Sequence, residues 1–150
     1  MKIAILCGSV FGAAEDVARH ASGLLRNAGH EVLGNTRLTQ AELLSFEPQA
    51  LLAVTSTTGM GELPDNIQDL YYQVRDELPA SLRGLPGAVI ALGDSAYDDT
   101  FCGGGEQLRE LFGELGVSEV QPMLRLDASE SVTPDTDAEP WLAELIGKLG

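Results

Sequence analysis

The sequence predicts a doubly wound α/β domain built on five parallel strands with helices on both faces. Three observations lead there. Strand-like and helix-like patterns alternate five times along 150 residues, with no internal repeat and no linker composition. The strand-like runs are nearly continuous in apolar character, as strands buried on both faces are. Three of them end in glycine-containing loops, the second rich in both glycine and hydroxyls, on the rim where open α/β sheets bind ligands.

Taken in order, residues 2–7 (Lys-Ile-Ala-Ile-Leu-Cys) read as the first strand. A helix over about residues 13–28 follows, with Val17, Ala21, Leu24, Leu25 and Ala28 as its inward stripe and Gly29 as its stop. Glu15 and Asp16 fall in its first turn, where the helix dipole favours negative charge. Residues 30–33 make a short second strand, and Thr39-Gln40-Ala41-Glu42 has the capping-box pattern of a brief helix ended before Pro48. The third strand spans residues 50–56. Asp65 is placed to cap the next helix, which buries Ile67, Leu70, Tyr71, Val74 and Leu78 and stops at Pro79; Tyr71 and Tyr72 both read as packing residues.

Residues 88–92 form the fourth strand. Gly103-Gly104-Gly105 predicts a mobile start to a helix that carries Leu108, Leu111, Phe112 and Leu115 and ends at Gly116. The fifth strand lies within residues 119–126, where Pro122 predicts an edge or a bulge. The acidic segment 127–137 reads as an exposed loop. A last helix begins near Pro140 and buries Trp141, Leu142, Leu145 and Leu149.

Composition bounds the partners. Asp plus Glu number 23 against 9 Lys plus Arg, a net charge of −14. That balance argues against nucleic acid, which is bound through cationic contacts to phosphate. It suits steering towards basic partners, and it also serves solubility. No apolar run approaches the roughly 18 residues that span a bilayer, and Met1-Lys2-Ile3-Ala4-Ile5-Leu6 reads as a strand rather than a leader, so a cytoplasmic protein is expected. Cys7 and Cys102 have neither a disulfide framework nor a metal-ligand spacing and read as buried, reduced thiols. His20 and His30 lack ligand-spaced partners, and no catalytic histidine stands out.

The candidate chemistry lies in the three loops. Gly8-Ser9-Val10-Phe11-Gly12-Ala13-Ala14 runs from a strand into a helix, so backbone N–H groups and the positive end of the helix dipole converge on an anion site without lysine or arginine. Rival uses of such a loop fail at identifiable positions. No Gly-Lys-Ser/Thr follows for a Walker motif, and Ala13 stands where a phosphatase loop on Cys7 needs arginine. Cys7-Gly8 and Ser56-Thr57 replace the acidic residues of a receiver domain, and only Gly8 and Gly12 are present of a dinucleotide fingerprint.

With Thr55-Ser56-Thr57-Thr58-Gly59-Met60-Gly61-Glu62-Leu63-Pro64-Asp65-Asn66 and Leu92-Gly93-Asp94-Ser95-Ala96-Tyr97-Asp98-Asp99-Thr100-Phe101-Cys102, the set resembles the three flavin mononucleotide (FMN) loops of flavodoxins. It is most similar to the branch holding the MioC proteins and the flavodoxin domains of sulfite and cytochrome P450 reductases, and it covers nearly the whole chain as far as Pro140-Trp141. The resemblance implies strand order 2-1-3-4-5. It assigns the FMN phosphate to backbone amides of Ser9, Val10, Phe11, Gly12, Ala13 and Ala14. Thr55, Ser56, Thr57, Thr58 and Gly59 fall to the ribityl chain and one ring face. Gly93, Asp94 and Tyr97 bound the other side, with Tyr97 stacked on the ring, and Met60, Gly61, Leu92, Phe101 and Cys102 complete the cofactor-binding residues that the resemblance implies. Gly59 takes the place of the peptide that turns its carbonyl towards the flavin as an electron and a proton arrive, a turn made easy by its missing Cβ. Glu62, Asp94, Asp98 and Asp99 make an anionic surround that disfavours the anionic reduced flavin.

Departures from the family pattern are specific. Phe11 and Ala13 stand where the phosphate loop usually carries hydroxyls, each lost hydrogen bond to phosphate being worth about 1.5–3 kcal/mol. Thr58 stands at a position often aromatic in reductase domains, with Met60 available to cover that ring face. The expected function is an FMN-binding electron carrier, a monomer and not an enzyme, passing single electrons from a basic NADPH-dependent flavodoxin reductase to an acceptor redox enzyme. Two alternatives stay open: a small flavin-dependent NAD(P)H or quinone reductase, and an interaction module that has lost tight FMN binding.

Overall fold

The apolar runs at residues 2–7, 50–56 and 88–92 become the centre of a parallel sheet. The computed structural model describes residues 1–10, 12–58, 61–94, 102–128, 130 and 133–149. The elements are β1 (Lys2–Gly8), α1 (Ala13–Asn27), β2 (Glu31–Asn35), α2 (Gln40–Phe46), β3 (Ala50–Thr55), α3 (Asp65–Glu77), β4 (Pro86–Gly93), α4 (Gly103–Leu115), β5 (Ser118–Glu119), β6 (Leu124–Asp127), α5 (Pro134–Asp137) and α6 (Glu139–Leu149).

The sheet runs β2-β1-β3-β4-β5, with β6 also pairing with β4. Every residue of β3 is buried, and so is nearly every residue of β1 and β4, whereas β2 is an exposed edge. Alternate residues sort to the two faces. Ile3, Ile5, Leu52, Val54, Ala88 and Ile90 pack with Val17, Ala21 and Leu25 of α1 and Leu142 and Leu145 of α6. Ala4, Leu6, Leu51, Ala53 and Val89 pack with Leu43 of α2, Ile67, Leu70 and Val74 of α3, and Leu108 and Leu111 of α4. Register then sets the site. Gly8 lies opposite Thr55, and Thr55 opposite Ala91, so β1, β3 and β4 end almost level and their following loops leave on one rim.

Local chemistry explains several corrections to the sequence reading. The fifth strand position is shared: β5 pairs with Pro86 and Gly87, and β6 with residues 90–93. The gap holds Pro122, which has no N–H for the ladder. It is clasped to α6 instead, Trp141 Nε1 donating to the Pro122 carbonyl (3.0 Å) and Gln121 Nε2 to the Trp141 carbonyl (2.8 Å). Trp141 is thus only partly buried, its indole serving as a clasp. Asp65 does not cap α3. Pro64 holds the cap position and Asp65 is the first helical residue, where its charge still meets the dipole. Leu78 turns left-handed (φ 43°) beyond the helix and is exposed, as are Ala28 and Tyr72, leaving only Tyr71 of the tyrosine pair in the core. The segment 127–137 contains a helical turn, Pro134–Asp137, which leads into the buried Ala138. The capping box at Thr39 and Glu42 forms as expected.

Gly103-Gly104-Gly105 is no mobile lead-in. These residues are the first turn of α4, with Gly104 and Gly105 buried. A Cβ on Gly104 would lie 2.4 Å from the Ser56 carbonyl oxygen, and one on Gly105 would lie 2.2 Å from the Ala91 Cβ. The glycines let the helix start directly against the loop after β3 and the end of β4. Of the two histidines, His20 pairs through Nε2 with Glu139 (2.6 Å), joining α1 to α6. His30 is buried, its Nδ1 3.0 Å from the amino terminus, and burial followed by that ammonium charge pulls its pKa down.

Candidate functional site

The rim above β1, β3 and β4 carries the loops singled out in the sequence. In the first, Gly12 caps α1 in a left-handed conformation (φ 92°) that only glycine adopts without strain, and no side chain caps the helix. The amides of Ala13, Ala14 and Glu15 therefore have no intrahelical carbonyl, the first helical bond being Asp16 N–H to Gly12 O. Two other amides of this loop are already bonded within the protein: Gly12 N–H donates to Ser9 Oγ (3.1 Å) and Ser9 N–H to Asn66 Oδ1 (2.9 Å). The Ser9 hydroxyl accepts from Gly12, so its proton remains to be donated. Val10 is exposed and Ala14 buried.

The second loop is tied down more heavily. Thr55 is fully buried, with its hydroxyl on the Ser56 carbonyl (3.0 Å), and Ser56 N–H donates to the Gly8 carbonyl (2.9 Å). Thr57 Oγ1 donates to the Leu92 carbonyl (3.1 Å) and accepts Gly104 N–H (3.1 Å), joining the loop, the end of β4 and the start of α4. Thr58 and Glu62 pair as a small antiparallel bridge, with N–H to O distances of 2.9 and 2.8 Å. Gln107 Nε2 holds the Gly61 carbonyl from α4 (2.8 Å). The Thr55, Thr57 and Thr58 hydroxyls thus donate to carbonyls of the protein itself, Thr58 to Glu62 (3.3 Å). Ser56 and Thr58 are the partly exposed hydroxyl residues of the loop besides Thr57.

Leu92, Gly93 and Asp94 bring the third loop up from β4, with Leu92 buried and Gly93 and Asp94 partly exposed. Cys102 closes it, in a left-handed conformation (φ 59°) at the cap of α4, its thiol donating to the Ala91 carbonyl (3.6 Å). Burial pushes this thiol up to about 11, against the pull of the nearby Arg125. Cys7, beneath the first loop, is pushed up to about 12 by burial, reinforced by the charge of Glu15. Both are free cysteines. Glu62 and Asp94 contribute negative charge at the rim.

Ser9, Val10, Gly12, Ala13 and Ala14 therefore stand at the end of β1, Thr55, Ser56, Thr57, Thr58 and Gly61 at the end of β3, and Leu92, Gly93, Asp94 and Cys102 at the end of β4. Phe11, Gly59, Met60, Tyr97, Asp98, Asp99 and Phe101 lie outside the described residues. Two roles went unread in the sequence. Asn66 reaches back from α3 to the first loop, and Gln107 supports the second loop from α4. Their only signal was position: Asn66 ends the second-loop motif, and Gln107 lies two residues beyond the glycine triplet. An anionic ligand fits this rim, which offers uncapped amides and a hydroxyl proton at the start of a 15-residue helix.

The flavodoxin family model matches residues 5–141. A solved structure, a cysteine-to-alanine mutant of a flavodoxin from Pseudomonas aeruginosa, superposes with a TM-score of 0.95 at 68% identity, covering 99% of each chain. Flavodoxin YqcA of Escherichia coli is 37% identical over 143 residues, 95% of both chains. A MioC homolog of Pasteurella multocida is 35% identical over 148 residues, 99% of this chain and 98% of the relative.

Proposed function

The chain belongs to the flavodoxin family, whose members carry electrons rather than catalyse a reaction, and we propose that it binds FMN at the β1, β3 and β4 rim and passes single electrons from a separate reductase to an acceptor enzyme. The observation that carries this reading is the level ending of the three strands beside the uncapped start of α1. FMN combines a phosphate dianion with a flat ring, and in this reading the first loop takes the phosphate and the second and third loops take the ring.

The amides of Ala13 and Ala14, with the Ser9 hydroxyl proton, would hold the phosphate through the partial positive charge at the helix start. Ser56 and Thr58 would lie along the ribityl chain, the Thr58 hydroxyl donating meanwhile to the Glu62 carbonyl (3.3 Å). Asp94 and Tyr97 would bound the ring from the third loop, and Gly59 and Met60 from the second, as the resemblance to flavodoxins implies. Bound FMN supplies the redox centre. The protein's part is to hold it, to limit water at the ring and to surround it with the negative charge of Glu62, Asp94, Asp98 and Asp99, which disfavours adding further charge. Thr57 acts one step removed, as the pin between the second loop and α4.

The same acidic rim is the docking face for a basic reductase. With a net charge of −14, long-range attraction speeds encounter at low salt and fades as salt screens it. FMN titration of the apoprotein, followed by flavin fluorescence, tests the cofactor. A Kd below about 1 μM is expected, and no quenching at micromolar protein contradicts the proposal. Neutralising Glu62, Asp98 and Asp99 tests the docking face. Reduction by the reductase is expected to slow at low salt and to match the unchanged protein at high salt.

A further inference from the structure

We propose that Asn66 is the positioning residue that orients the phosphate loop, setting the preference of the site for a phosphorylated flavin; the inference rests on the FMN reading above. Asn66 is the second residue of α3, yet its side chain works at two other strand ends. Its Nδ2 donates to the Cys7 carbonyl at the end of β1 (2.9 Å) and to the Thr36 carbonyl after β2 (2.7 Å). Its Oδ1 accepts Ser9 N–H (2.9 Å). Two carbonyls on one side and an N–H on the other fix which end of the amide is which. Both of its donors are used, and the group is saturated in the direction of the loop.

The consequence lies in the direction of the Ser9 amide. Asn66 holds that N–H inward, away from any ligand. The Ser9 hydroxyl oxygen then meets Gly12 N–H (3.1 Å), which closes the turn leading into α1. Both ends of residues 9–12 are therefore set through Ser9, and Ser9 is set through Asn66. The amides of Ala13 and Ala14 and the Ser9 hydroxyl proton converge on one point only while this chain of contacts holds. Asn66 has no hydrogen bond to the second or third loop among the described residues, so its removal acts on the phosphate and leaves the ring contacts in place.

Riboflavin, which is FMN without its phosphate, separates the two effects. The unchanged protein is expected to bind FMN more tightly than riboflavin. Asn66→Ala is expected to lower FMN affinity at least about tenfold, as the loss of one charged hydrogen bond does, and to leave riboflavin affinity within about twofold. The FMN-to-riboflavin ratio thus collapses. Equal losses for both ligands, or an unchanged ratio, overturn the inference, since they make Asn66 a general prop or a bystander. No preference for FMN in the unchanged protein overturns instead the FMN reading itself, and this inference with it. Should Asn66→Ala not fold, amide exchange on the unchanged apoprotein decides. Slow exchange at Ser9 before any flavin is added supports the inward-held amide, and rapid exchange there overturns it.

Discussion

The first and second loops sit side by side on the rim and are built on opposite plans. The second loop is braced from several sides: the Thr57 hydroxyl bridges Leu92 of β4 and Gly104 of α4, Thr58 pairs with Glu62 inside the loop, and Gln107 of α4 holds Gly61. Beyond the strand end at Gly8, the first has one side-chain prop from another element among the described residues, Asn66, and leaves the start of α1 without a side-chain cap. A loop that must shape a wall beside a flat ring gains from rigidity. A loop that must bind an anion keeps amides unbonded and relies on few fixed contacts. The difference teaches that a hydroxyl-rich motif is not in itself a set of ligand contacts, since the hydroxyls of Thr55, Thr57 and Thr58 all donate to the scaffold.

Substitutions on either side sharpen this contrast, and the largest effect is expected where the second loop meets α4. Gly104→Ala places a methyl 2.4 Å from the Ser56 carbonyl, so the helix start has to withdraw. About 3 kcal/mol of stability is expected to be lost, at the upper end of overpacking costs, measured by urea unfolding. Thr57→Val keeps the shape but strands Gly104 N–H and the Leu92 carbonyl. A loss of about 2 kcal/mol is expected, with Thr57→Ser recovering most of it. In the first loop, Gly12→Ala meets no neighbour within 4 Å but forces a side chain into a left-handed conformation. Its cost is expected to be about 1 kcal/mol, from backbone strain alone. On the exposed face of α1, Arg19→Ala removes pairs with Glu15 and Asp16. A change of about 0.5 kcal/mol or less is expected, vanishing in high salt. A Gly12→Ala penalty larger than that of Gly104→Ala would break the contrast.

The two buried thiols add a test by pH. Folding raises Cys7 from 9.0 to about 12 and Cys102 from 9.0 to about 11. A raised pKa means that the folded protein holds a proton the unfolded chain releases, so the thiols' contribution to stability is constant below pH 9 and falls above it. The decline runs to about pH 11 for Cys102 and about pH 12 for Cys7. Urea unfolding at pH 8 and pH 10.5 is expected to show the loss, and Cys7→Ala to flatten it. His30 has the opposite sign. Its lowered pKa gives stability that is present at neutral pH and lost on acidification below 6.5.

Legibility followed the range of each interaction. The strand runs, most of each helix stripe and the capping box depend on neighbours a few residues away and were readable from periodicity or short spacing; Ala28 and Leu78, at helix ends, were read as inward and are exposed. The rim loops were readable because strand ends in this architecture share one side. Contacts across distant segments left no such trace. Gly103-Gly104-Gly105 read as looseness because composition records the missing Cβ but not the carbonyl and methyl that occupy its place. Asn66 read as the end of a motif because nothing in sequence reveals that its amide faces Cys7, Ser9 and Thr36. The split fifth strand was half legible. Pro122 signals an interruption, but the clasp by Trp141 belongs to the tertiary structure.

Anaerobic reduction of the FMN complex in measured increments, with spectra recorded at each potential, tests the electron-carrier account most directly. The account predicts two one-electron steps separated in potential, and no steady-state consumption of NADPH by the protein alone. A single two-electron step accompanied by turnover of NADPH without a partner would contradict it.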